Sequence, residues 1–226
     1  MKSVNLTLDN ETFIRTPFGQ IIFDIAWAMH YKNGKIIDEP INYLVKETIT
    51  APDANKAHYQ AKHYTDYIPM LDSNEIKLMP WNDIIDELHY TLTENNVNAL
   101  CAYNLLFDLR ALRNTEMAIN GFISEKMQDI LNWKKLCIWN FVCKTIAKSR
   151  NYKNASALYS WFSGTGNMLT GAEYAYKFVS QNPKFVEAHT AKKDVIIEAE
   201  ILSACYNSKT KIPYNELNAQ CWKLAQ

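Results

Sequence analysis

The sequence predicts an α/β domain with a mixed β-sheet, and three observations predict it. The chain opens on period-two patterns: Val4, Leu6 and Leu8 alternate with Asn5, Thr7 and Asp9, which is the repeat of a strand. An apolar, Ile- and aromatic-rich run follows at Gln20–Met29. Asn33-Gly34 then separates it from Lys35–Lys46, with the residue chemistry of a type I′ hairpin turn. Beyond residue 80 the pattern becomes alternating helix and short apolar strand. Three strands in a meander, then helices alternating with strands, place an antiparallel meander beside parallel strands in one sheet.

The elements follow in order. Residues 51–80 carry Pro52, Pro69 and Pro80 and no clear period, so they read as a variable helical excursion. Asp83–Glu94 reads as a helix, because Ile84, Ile85, Leu88 and Leu92 share one face. Asn98–Tyr103 is short and apolar, fit for a buried parallel strand, and Leu105–Ile119 reads as the helix after it. Lys135–Trp139 fits either a short buried strand or the middle of a long helix, and periodicity does not decide between them. Ala172–Phe178 and Thr190–Tyr206 read as helices. The tail after Tyr206 contains Pro213 and a possible last helix.

At 226 residues, with 48% hydrophobic and 21% charged side chains, the composition is that of a globular domain large enough to bury a core. That excludes disordered, collagen-like and coiled-coil chains. No apolar stretch approaches the roughly 20 residues needed to span a bilayer. The first residues lack the apolar centre of a signal peptide. The five cysteines are scattered, with no C-x-x-C pair, so they are expected as free thiols in a reducing cytoplasm with no zinc site. Equal numbers of basic and acidic residues, 24 of each, hide an asymmetry. Residues 1–130 hold eleven Lys and Arg against eighteen Asp and Glu, whereas residues 131–226 hold thirteen against six. Six of the basic residues (Lys134, Lys135, Lys144, Lys148, Arg150, Lys153) fall between Leu131 and Lys153 without an acid. The segment fits a solvated helix face or a basic surface beside an acidic site.

Three places carry candidate chemistry. Asp9 and Glu11, two apart on the first strand, share a face. Paired carboxylates there repel unless a cation lies between them, and hard oxygen donors favour Mg²⁺ or Mn²⁺. The bland alternative is a strand end with two solvated acids. Asp108 follows a buried strand, in the first turn of a helix where the macrodipole favours an acid, with Asn104 placed to cap or brace the turn. His189 stands just ahead of a helix, with Thr190 as its expected N-cap and Asp194 and Glu198 one turn apart within it. A histidine beside carboxylates suits general-base work, and a charged surface helix is the plain alternative. Gly164-Thr165-Gly166 is not a dinucleotide fingerprint, because Leu169 stands where a third glycine belongs. His58 and His63 have no metal-ligand spacing to acids and are expected at the surface. The aromatic stretch Tyr159–Phe178 reads as packing.

Taken in order, these motifs resemble the DEDD (DnaQ-like) 3′–5′ exonucleases, in their histidine-bearing branch. The matching residues are Leu8-Asp9-Asn10-Glu11-Thr12 for the first motif and Ala102-Tyr103-Asn104-Leu105-Leu106-Phe107-Asp108 through Leu112 for the second. His189-Thr190-Ala191-Lys192-Lys193-Asp194 match the third. The resemblance runs from about Val4 to Leu202. One departure is Leu136-Cys137-Ile138-Trp139, where the family often has an acid that is not one of its four metal-binding carboxylates.

The resemblance implies a ribonuclease H-like fold, with residues 1–206 as the exonuclease domain and 207–226 as a tail or last helix of the same domain. It implies metal-dependent hydrolysis of phosphodiester bonds with two Mg²⁺ or Mn²⁺ ions. Asp9, Glu11 and Asp194 would serve one ion and Asp9 and Asp108 the other, with His189 as general base. Thr12, Phe13 and Asn104 would contact the substrate, whereas Phe107 is expected in the core. The expected partner is nucleic acid, single-stranded DNA or RNA 3′ ends, with no membrane. A polymerase or replication partner stays open, as do an RNA-directed exoribonuclease and a non-catalytic nucleic-acid-binding module.

Overall fold

The structure, a computed structural model, describes residues 3–15, 17–50 and 63–226. Among these, six strands form one sheet: β1 (Val4–Arg15), β2 (Gly19–Tyr31), β3 (Ile41–Val45), β4 (Lys77–Met79), β5 (Ala99–Ala102) and β6 (Lys135–Cys137). Their order across the sheet is β4-β3-β2-β1-β5-β6. β1, β2 and β3 pair antiparallel, while β5 runs parallel to β1, β6 to β5 and β4 to β3. The helices are α1 (Lys46–Thr50), α2 (Ile68–Asp72), α3 (Trp81–Glu94), α4 (Leu105–Asn120), α5 (Glu125–Asn132), α6 (Ile138–Lys144), α7 (Arg150–Tyr159), α8 (Ala172–Val179) and α9 (Ala191–Tyr206).

Alternation along β1 and β2 decides what each face of the sheet meets. Leu6, Leu8, Ile25 and Trp27 pack with Ile84, Ile85, Leu88 and Leu92 of α3 and with Leu105, Leu109 and Leu112 of α4. On the opposite face Ala26 and Ala28 meet Ala191 and Val195 of α9. Small residues there allow this helix to lie close to the strands. All four residues of β5 are fully buried, as expected of a parallel strand covered on both faces. Trp81 donates from its indole nitrogen to Glu116 Oε2 at 2.5 Å, and Glu116 Oε1 accepts the Ser124 N–H. This buried acid therefore ties the start of α3 to the end of α4.

The mixed sheet is the one expected, but several local features differ. The β2–β3 turn is not type I′, which needs positive φ at both central residues. Only Gly34 has it, at φ +77, and the turn closes through Gly34 N–H to Tyr31 O and Tyr31 N–H to Lys35 O. A Cβ on Gly34 would come within 3.0 Å of Ser203 Cβ, so α9 presses on this turn as well. β3 begins at Ile41 rather than Lys35, with one isolated bridge, His30 to Ile36, ahead of it. β4 is an added edge strand in the segment expected to be helical. Pro52 and His58 lie outside the described residues. α3 begins at Trp81, two residues early, because extended Pro80 takes the N-cap position. Lys135–Trp139 resolves into a three-residue strand followed by a helix.

The segment after Tyr206 ends in a 3₁₀ turn, Cys221–Leu224. Asn215 exchanges hydrogen bonds with the backbone of Lys135 at 2.8 and 2.9 Å, and Cys221 and Ala225 are fully buried. All five cysteines are buried and free.

Leu88 is fully buried between α3 and the sheet. Leu88→Ala should destabilise the protein by about 2–5 kcal/mol, the range for a buried leucine truncated in a core that cannot fully collapse. A urea-unfolding midpoint lowered with unchanged slope is the expected measurement.

Candidate active site

Asp9 and Glu11 sit on the face of β1 that meets α9, opposite Ala26 and Asp24 of β2. The register slips between Glu11 and Thr12, a bulge of the kind that re-aims side chains at a sheet margin. Next to β1 runs β5, parallel to it and leading into α4. Asp108 lies in the first turn of α4, only 4% exposed, and Asn10 Nδ2 donates to its Oδ1 at 2.9 Å. α9 adds Asp194, and one turn on Glu198, both buried. Glu198 Oε2 accepts the Tyr103 N–H at the end of β5 at 3.1 Å. The acids thus meet over the middle of β1, just past the stretch that pairs with β5, and beyond the C-terminal end of β5.

His189 precedes α9 in the left-handed region at φ +52 and is exposed. Ligand atoms of Glu11, His189 and Asp194 lie within 4.8 Å of one another. A second set, Glu173, Glu187 and His189, meets the same distance, and His189 Nδ1 is 3.7 Å from Glu187 Oε2. Glu187 is itself braced: its N–H bonds Glu173 Oε2 at 3.2 Å, and Lys177 holds Glu173 Oε1 at 2.5 Å.

The N-terminus of α9 is held differently from expectation. Thr190 occupies the N-cap with extended backbone, but its side chain makes no capping bond. The Ala191 N–H bonds Asp24 Oδ2 at 3.3 Å instead. Asp24 is fully buried in β2 and also accepts from Asn42 Nδ2 at 2.6 Å and the Tyr67 hydroxyl at 3.0 Å. One acid therefore joins β2, β3, the π-helical turn His63–Tyr67 and α9. Its sequence signal is a lone charge inside the apolar run Ile21-Ile22-Phe23-Asp24-Ile25. Asn10, Glu173 and Glu187 carried no such signal.

The electrostatics follow from the crowding. Burial, then the charges of Asp108, Asp194, Glu11 and Asp24, push the Asp9 carboxyl well above its ordinary range. Burial likewise raises Asp108, partly offset by a backbone hydrogen bond. Glu198 is raised by burial and then by Asp9, Asp108 and Asp194. Each is a carboxylate held where its charge is unfavourable. The oxygen donors of Asp9, Glu11, Asp108 and Asp194 fit hard divalent cations such as Mg²⁺ or Mn²⁺.

The remaining sequence-nominated residues divide. Asn104 is exposed at the N-cap of α4, where its carbonyl, not its side chain, accepts the Phe107 and Asp108 N–H groups. Thr12 is half-exposed just past the bulge. Phe13 is buried, 4% exposed, and stacks on Phe23 with ring centroids 5.3 Å apart. Its ring belongs to a core cluster with Tyr67 rather than to an open surface. Phe107 is half-buried.

No family model and no curated protein matches this sequence. Solved structures do. E. coli exonuclease I in complex with a 5cy-dT13 oligonucleotide aligns over 92% of this chain and 42% of its own, with TM-score 0.65 and 15% identity. The zinc-ion-bound E. coli exonuclease I–ssDNA complex aligns over 92% of this chain and 41% of its own, with TM-score 0.61 and 15% identity. A full-length 3′-exonuclease aligns over 98% of this chain and 89% of its own, with TM-score 0.59 and 9% identity. The chain thus spans about two fifths of the exonuclease I chains and most of the 3′-exonuclease. The likeness shows the fold alone: a ribonuclease H-like α/β fold shared with these structures. Among the described residues no helix is long and apolar enough to cross a membrane.

The raised carboxyls set a pH dependence. Where a folded-state acid holds its proton more tightly than the unfolded chain does, stability falls as pH rises above the ordinary carboxylate range. The metal-free protein should therefore melt at progressively lower temperature from mildly acidic to neutral pH. Mg²⁺ or Mn²⁺ should flatten that slope by binding the folded state. Asp9→Asn should melt higher than the parent in EDTA at neutral pH and respond less to metal. Thermal melts with and without metal check all three.

Proposed function

We propose that this chain is a metal-dependent 3′–5′ exonuclease of the histidine-bearing DEDD branch, acting on single-stranded DNA. One observation carries the reading: Asp9, Glu11, Asp108 and Asp194 converge around β1 just past the end of β5, with His189 within 4.8 Å of Glu11 and Asp194. The shared fold with exonuclease I structures that hold DNA oligonucleotides supports the substrate class. Residues 1–206 are read as the exonuclease domain, with 207–226 as its C-terminal extension. The five free thiols suit a reducing, cytoplasmic setting.

Asp9, Glu11, Asp108 and Asp194 would hold two Mg²⁺ or Mn²⁺ ions. Bound ions neutralise the phosphodiester charge and polarise the attacking water. The protein does the rest. Asn10 fixes the Asp108 carboxylate by its hydrogen bond. Glu198 holds the end of β5 against α9 through the Tyr103 N–H. Asp24 sets the start of α9, and so the position of Asp194. His189 takes the proton from the attacking water, with Nδ1 3.7 Å from Glu187 Oε2. Exposed Asn104 and half-exposed Thr12 would contact the terminal nucleotide.

End-labelled DNA and RNA oligonucleotides test the reading. The expected result is stepwise loss from the 3′ end of DNA with Mg²⁺ or Mn²⁺, and none in EDTA. Faster loss from RNA would move the substrate to RNA, because acceptance of the 2′-hydroxyl is a property of the pocket. Asp9→Ala and Asp194→Ala should abolish turnover while the protein stays folded. His189→Ala should keep metal binding and lose roughly 10²–10⁴ in turnover, the range for a positioned base. His189→Asn should be nearly as slow, because an amide cannot take the proton. Parent-like degradation by Asp9→Ala would sink the two-metal reading.

A further inference from the structure

A cleft of about 580 Å³ opens between α7 and α8, away from the carboxylates. One wall is the face Asn151, Ala155 and Tyr159 of α7, spaced one turn apart; the other includes Lys177 and Phe178 of α8. Trp161 lies between, with Tyr159 stacked on it at 5.5 Å. Tyr159 is 47% exposed, so the aromatic stretch, expected as packing, presents a ring to solvent here.

The segment that builds the α7 wall of the cleft carries no acid. No Asp or Glu occurs between Asp129 and Glu173. Of the six basic residues expected as a face, the structure uses three locally. Lys134 lies over the Tyr214 ring, Lys135 bonds the Trp133 carbonyl, and Lys144 pairs with Glu216. Lys148 and Arg150 are exposed, flanking the lining residues Ile146 and Asn151 in sequence, and Lys184 follows Pro183 on the other side. Among the described residues no carboxylate pairs with these three.

The cleft is also mechanically tied to the candidate active site. Lys177, which lines it, holds Glu173, and Glu173 holds the backbone of Glu187, two residues before His189. A cluster of carboxylates repels phosphates, so affinity for a polyanion has to be supplied outside it. Aromatic faces with unpaired cations at their margin are what a single strand needs, stacking its bases and screening its backbone.

We propose that this cleft is a second binding site for single-stranded nucleic acid, holding bases upstream of the 3′ end that enters the carboxylate site. The proposal rests on the exonuclease reading above. It makes α8 a shared wall: Lys177 lines the cleft and, through Glu173, braces the loop of His189.

Steady-state kinetics on the full chain test it, with a trinucleotide and a roughly fifteen-nucleotide thymidylate as substrates. Tyr159→Ala should raise KM for the long substrate about tenfold, within the range for losing one stacked base. KM for the trinucleotide and both kcat values should stay at the parent level. Lys148→Glu combined with Arg150→Glu should raise the same KM and flatten its salt dependence. These residues are exposed, so unchanged melting temperatures are expected. A parent that degrades neither substrate defeats the exonuclease reading itself. A parent active on both, with variants of parental KM on the long substrate, overturns the second site alone. Equal loss on both lengths overturns it too. An oligomeric state that changes with Tyr159→Ala would give the cleft to a second copy of the chain, again overturning the proposal.

Discussion

Carboxylates brought together in a partly dry site repel one another, and the elements around β1 hold them there against that repulsion. Asp9 feels Asp108, Asp194, Glu11 and Asp24 at once. Three elements impose the meeting: β1 in the centre of the sheet, the β5–α4 turn beside it, and α9 across one face. The clustering is thus a consequence of packing energy from the apolar core. It leaves an electrostatic strain of the kind that a bound divalent cation would relieve.

The position of α9 is the most sensitive part of that arrangement. Ala26 and Ala28 let it lie close to the sheet, and Gly34 admits Ser203 near its other end. Asp24 accepts its first free N–H while also taking hydrogen bonds from Asn42 and Tyr67. A buried acid with several donors is satisfied, and removal of one partner would leave charge uncompensated. Its value here is register: Asp194 and Glu198 face the strands only if the helix begins where Asp24 places it.

Charge is sorted along the chain as well as within the site. The acidic first part supplies most of the repelling cluster, and the acid-free segment builds α7, one wall of the aromatic cleft. Because the net charge is zero, this sorting is invisible to bulk composition. A neutral protein can thus present an acidic cluster and an acid-free, basic segment at once.

The three motifs, the central meander, the buried parallel strand and the long helices were legible in the sequence. Each rests on short-range signals: alternation in Val4–Leu8, the stripe Ile84–Leu92, and fixed spacings such as Asp9 to Glu11 and His189 to Asp194. What the sequence could not decide depends on contacts between distant segments. Asn33-Gly34 has the residues of a type I′ turn, but packing of Ser203 and the late start of β3 gave a different one. Thr190 is a good N-cap residue by type, yet Asp24 from another strand took that role. Phe13 follows the first motif in sequence, but the apolar surface of Phe23 and Tyr67 claimed its ring. Local chemistry determined which residues could act. Only tertiary packing decided which of them meet, because burial and hydrogen-bond partners are properties of the surroundings and not of the residue.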